Sequence, residues 1–97
     1  MTKSEKSLLL FLETCCVDSR GLIKGERMND EDHITAERWD KICFIQFGRV
    51  SARDLHKGFT HWCTLSDTAW SMAWKLRRER FERMVKAVGV ERIGVRP

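Results

Sequence analysis

From Asp67 to Val88 the chain contains neither glycine nor proline, and this uninterrupted stretch limits the fold more than any other feature. Trp70, Ala73, Trp74, Phe81, Met84, Val85 and Val88 fall within about a third of a helical circumference. The spacing predicts one long helix, capped by Ser66 and stopped near Gly89, with these residues as its apolar stripe and Trp70 and Trp74 in the core. Elsewhere on it, Arg78/Glu82, Glu79/Arg83 and Glu82/Lys86 form i,i+4 pairs, the pattern of a solvated helix surface. In a chain of 97 residues, a helix this long leaves material for a single domain, and 42% hydrophobic content suffices for a modest core without crosslinks. We expect that domain over residues 1–89, followed by a basic, flexible tail over 90–97.

Upstream, Thr2 and Glu5 have the spacing of a capping box, and Leu8, Leu9, Phe11, Leu12, Cys15 and Cys16 follow at helical intervals. The first helix should end at Gly21. Leu22 to Met28 is short and lacks clean alternation, so it reads as a brief edge strand. Asn29 or Asp30 can cap a second helix, whose acidic first turn, Asp30-Glu31-Asp32, suits the helix dipole. Thr35, Trp39, Ile42 and Cys43 would line one side of that helix. From Phe44 to Ser51 the helical stripe gives way to β-forming residues. Together with Phe59 to Leu65, where apolar and polar side chains roughly alternate, this segment predicts a hairpin turning around His56-Lys57-Gly58. The expected architecture is α+β, in the order α-β-α-β-β-α with a long C-terminal helix.

That order is a winged-helix layout. The segment ICFIQFGRV (42–50), followed by HWCTLSDTAWSMAWKLR (61–77), resembles the end of a recognition helix, the wing and the next helix of MarR- and PadR-like regulators. Leu65, Ser66, Ala69 and Ala73 occupy the positions of their L-[ST]-x-x-[GA]-x-x-x-A motif. Two departures stand out: Cys43 takes a place usually held by glycine, and only one helix fits between Met28 and Phe44, where these regulators have two. The chain is also similar to small proteins of temperate phages, which implies a regulatory or accessory role.

The formal net charge of +4 conceals an asymmetry. Residues 1–48 carry seven Lys/Arg against nine Asp/Glu, whereas residues 49–97 carry eleven against five. A polyanion should therefore meet the C-terminal half. The apolar run LLLFL near the N-terminus is too short for a signal sequence or a membrane span, so a cytoplasmic protein with no membrane partner is expected. There the four cysteines would stay reduced and serve as small buried hydrophobes.

His61-x-Cys63 resembles half of a metal site, but neither paired C-x-x-C nor H-x-x-x-H spacing supplies the other half, and Cys15 and Cys16 diverge on their helix. No metal and no cofactor are expected. Phosphate loops, nucleophile elbows and dinucleotide fingerprints are missing as well, and His33 beside Asp30 and Asp32 reads as a solvated helix start, so we expect no enzyme. Binding is left. In a DNA-binding regulator the basic hairpin would touch double-stranded DNA through Arg49, Arg53 and Lys57, with Trp62 as an outward contact residue and Arg78 in support. In an accessory protein that inhibits a host protein complex, an anti-CRISPR for example, the acidic cluster Asp30, Glu31 and Asp32 would be the contact, since carboxylates at a recognition helix repel phosphate. The long stripe of the last helix further predicts a homodimer built on Phe81, Met84, Val85 and Val88.

Overall fold

The computed structural model describes residues 1–55 and 58–88, apart from the side chains of Asp54, Leu55 and Val88. Lys57 and the expected tail 90–97 lie outside the described residues. Helix α1 (Lys3–Asp18) opens with the reciprocal capping box read from the sequence: Glu5 N–H donates to Thr2 Oγ1 at 3.1 Å, and Thr2 N–H donates to Glu5 Oε1 at 2.7 Å. It buries Leu8, Leu9, Leu10 and Leu12, and ends as Arg20 and Gly21 turn left-handed at φ 55 and 85°. Gly21 is also a close-approach point. A Cβ there would sit 2.4 Å from the Cys63 carbonyl oxygen, and the Gly21 carbonyl accepts from Cys63 N–H at 2.8 Å.

Strand β1 is shorter than expected, covering only Leu22–Ile23. The chain leaves it because Gly25 N–H donates to Thr60 Oγ1 at 2.8 Å instead of continuing a ladder, and Gly25–Arg27 winds into a 3-10 turn. Helix α2 (Asp30–Lys41) starts from a second capping box, in which Asn29 and Asp32 exchange side-chain and backbone bonds. Thr35, Ala36 and Trp39 face the core. Ile42 and Cys43 do not belong to this helix, contrary to the periodicity, and both are exposed. Cys43 takes φ 63°, its N–H donates to the Asp40 carbonyl at 3.1 Å, and Phe44 N–H reaches back to Trp39 at 3.0 Å. This is a Schellman termination with cysteine at the residue where glycine is usual.

Strand β2 (Ile45–Arg49), a one-turn helix α3 (Ala52–Leu55) and strand β3 (His61–Leu65) follow. Neither α3 nor the 3-10 turn was part of the expected order. The sheet runs β1-β3-β2 with both pairings antiparallel, so the last strand in the chain is the central one. Ile23, Ile45, Cys63 and Leu65 are buried on one face, and Gln46, Trp62 and Thr64 are exposed on the other.

Helix α4 (Asp67–Val88) starts at Ser66, whose Oγ accepts from Ala69 N–H at 3.1 Å and donates to the Phe44 carbonyl at 2.7 Å. Among the described residues it buries Ala69, Ala73 and Leu76, a face that shares Ala73 with the predicted stripe but is centred about a quarter turn from it. Small alanines let α1 approach closely, and Arg77 fixes that approach. Arg77 pairs with the buried Glu13 and donates to Thr14 Oγ1 at 2.7 Å and to the Leu10 carbonyl at 3.3 Å. Trp70 is accordingly half-buried, while Trp74 is 62% exposed and not a core residue. The cysteines also divide: Cys63 is buried, Cys15 and Cys16 are intermediate, and Cys43 is on the surface rather than in the core.

Candidate binding surfaces

The hairpin register decides which of its exposed residues can act together. Arg49 pairs with His61 and Gly48 with Trp62, and because side chains alternate along a strand, Arg49 and Trp62 project from opposite faces. The sequence had grouped them in one surface. Trp62 lies over Gly48, where an added Cβ would come within 2.9 Å of the indole ring, and it is 36% exposed on the open face of the sheet. Arg53 is exposed on α3, and Arg78 is exposed on α4. Lys57 falls outside the described residues.

On the helix side of the hairpin, His61 stacks on Phe47 with ring centroids 5.2 Å apart and planes 6° from parallel. His33 from α2 approaches the same imidazole at 5.0 Å. Thr60 Oγ1 accepts the Gly25 N–H at 2.8 Å and shares a hydrogen bond with His61 Nδ1 at 2.7 Å, which ties the ring to the 3-10 turn. Burial, followed by the charges of His33 and Arg49, lowers the pKa of His61, with Glu37 opposing weakly. The histidine thus joins hairpin to helix at a position that disfavours its protonated form. Nothing in the sequence pairs His33 with His61, since the contact depends on the register of a hairpin formed elsewhere in the chain.

The outward face of α2 carries Asp30, Ile34, Glu37 and Lys41, all exposed, with Glu31 beside them. Ile34 is 65% exposed at the middle of this group. Asp32 is different from its two neighbours, because its carboxylate accepts from Asn29 N–H at 3.2 Å and belongs to the helix cap. Arg38 is taken up by Glu5 of α1 at 2.6 Å, and Asp40 accepts from Phe47 N–H at 3.0 Å. The helical spacing of Asp30, Ile34 and Glu37 is the sequence signal for this face, whereas the consecutive run Asp30-Glu31-Asp32 spreads around the helix.

On α4, Phe81 is 62% and Met84 60% exposed, and Val85 is partly covered. The Val88 side chain lies outside the described residues. Among the described residues, no three His, Cys, Asp or Glu side chains converge as a metal site, and no helix is long and apolar enough to cross a membrane. Comparison with protein-family models, curated proteins and solved structures returned no match to this chain.

Proposed function

We propose that this is a non-catalytic binding domain on a winged-helix frame, which engages a protein partner through the outward face of α2. The frame is supported by the sheet order β1-β3-β2, with α2 between the first two strands and α4 after the third. The 3-10 turn Gly25–Arg27 stands where such domains carry a further helix. The observation that carries the function is the face of α2 itself. Asp30, Glu31 and Glu37 flank an exposed Ile34, with the cation Lys41 at the C-terminal end of this face. The surface is net acidic, which disfavours DNA phosphates and suits a partner offering cations around an apolar pocket. A host protein complex, of the kind that phage accessory proteins such as anti-CRISPRs inhibit, is the partner class this reading favours. Self-association through Phe81, Met84, Val85 and Val88 is part of the same reading.

One observation favours a second reading, a regulator that binds double-stranded DNA through Arg49, Arg53 and Lys57 with help from Trp62 and Arg78. It is the excess of eleven Lys/Arg over five Asp/Glu in residues 49–97. The two readings separate in one experiment. Asp30→Asn, Glu31→Gln and Glu37→Gln together should release a host complex that the wild-type chain retains, while binding to duplex DNA stays negligible even at about 50 mM salt. Steeply salt-dependent duplex binding, abolished by Arg49→Glu with Arg53→Glu, would replace the first reading with the second.

A further inference from the structure

Two thiols far apart in the chain meet in a surface cleft. Cys16 Sγ of α1 lies 3.6 Å from Cys63 Sγ of β3, within direct contact. The cleft, about 210 Å³, is lined by both cysteines together with Arg20, Gly21, Thr64 and Trp70. Cys15, next in sequence to Cys16, instead lines separate clefts with Phe11 and Arg27. We infer that Cys16 and Cys63 are a reactive dithiol that closes to a disulfide between α1 and β3 by exchange with a small-molecule disulfide entering this cleft.

The geometry assigns the two sulfurs different tasks. Cys63 is buried and in contact with Cys16, whereas Cys16 is only partly covered. The attacking sulfur must be the accessible one, and the second needs only to reach the first. The acidities run the same way. A hydrogen bond from Cys63 lowers the pKa of Cys16, while that shared proton and then burial raise the pKa of Cys63. Arg20, on the cleft wall, supplies a cation that suits an incoming disulfide bearing carboxylates, such as oxidised glutathione.

In the first step the Cys16 thiolate attacks one sulfur of the incoming disulfide, the S–S bond breaks, and one thiolate departs. Cys16 is left in a mixed disulfide. Cys63 then gives up its proton, which the departed thiolate can accept, and its sulfur attacks Cys16 Sγ and expels the second thiol. Two protein thiols and one disulfide become one protein disulfide and two small thiols, with no other oxidant. Closing the gap from 3.6 Å to a bond of about 2.05 Å requires a combined sulfur movement of roughly 1.5 Å.

The test uses the full chain carrying Cys43→Ser, which removes the exposed thiol, with oxidised glutathione as probe. Intact mass should fall by two hydrogens with no glutathione retained, and non-reducing peptide mapping should join residue 16 to residue 63. Adding Cys16→Ser should abolish that product, and adding Cys63→Ser should trap one glutathione on Cys16. Iodoacetamide should label Cys16 at least about tenfold faster than Cys15 in the reduced protein. An unchanged mass, a lasting adduct on Cys16 in the Cys43→Ser protein, or a crosslink from Cys15 to Cys63 would overturn the inference. The Cys43→Ser protein decides the question even where Cys63→Ser disturbs folding.

Discussion

Cys43 holds a left-handed backbone that costs a residue with a Cβ roughly 1–2 kcal/mol, and its exposed side chain contributes no core packing in return. Cys43→Gly should therefore raise stability by about 0.5–1 kcal/mol, part of the gain being lost to the greater freedom of glycine in the unfolded chain. Urea unfolding should show a higher midpoint at unchanged slope. Arg77 gives the opposite case. Arg77→Met strands the carboxylate of Glu13 in the α1–α4 interface, and we expect a loss of about 2 kcal/mol. That is less than for a fully enclosed pair, because the Arg77 side chain is 44% exposed. Thermal or urea unfolding reads the difference, and Glu13→Gln in the Arg77→Met background should recover part of it. The capping box at Thr2 was legible in the sequence because its partner stands three residues away, whereas spacing alone does not choose between Asn29 and Asp30 for the second cap, which the bond of Asp32 to Asn29 decides. The Glu13–Arg77 pair, 64 residues apart, leaves no such local trace.

At the scale of elements, periodicity disclosed that α4 is a helix and where it lies, but not which side of it packs. A stripe read from spacing shows where apolar residues gather. The face that is buried depends on where α1 arrives, and Ala69, Ala73 and Leu76 admit it more closely than tryptophan would. The consequence is an uncovered stripe with Trp74, Phe81 and Met84 on the surface. If that stripe pairs two copies, light scattering at tens of micromolar should give a dimer mass and Phe81→Glu a monomer with an unchanged circular dichroism spectrum; a monomeric wild type removes the idea. The junction of α2 with the hairpin should respond to pH. The pKa of His61 is lower in the folded protein than in the unfolded chain, where it is about 6.5. The unfolded chain therefore takes up the proton first, and stability is intact above that value and declines as pH falls through 6.5 toward the depressed folded value. Groups facing the ring are His33 and Glu37 of α2, Arg49 of β2 and Thr60. Urea midpoints between pH 7.5 and 5 should show the decline, and His61→Gln should flatten it.

Across the whole molecule, the α+β class and the positions of the three long helices were readable because each rests on local spacing. The truncated β1 was not, since it answers to the distant contact of Gly25 with Thr60, and no local spacing marked the one-turn α3. The order β1-β3-β2 also has a bearing on how the chain acquires its shape in time. Leu22–Ile23 and Ile45–Arg49 both depend on His61–Leu65, so no strand pairing exists until those residues have been synthesised. A fragment ending at Thr60 should show only the circular dichroism of fraying helices. During translation the two earlier strands remain unpaired edges, and α1, capped from its first residues, waits with its leucines uncovered. Folding of this protein is therefore expected to be abrupt and late, and the interval before residue 65 leaves the ribosome is when chaperones have most to bind.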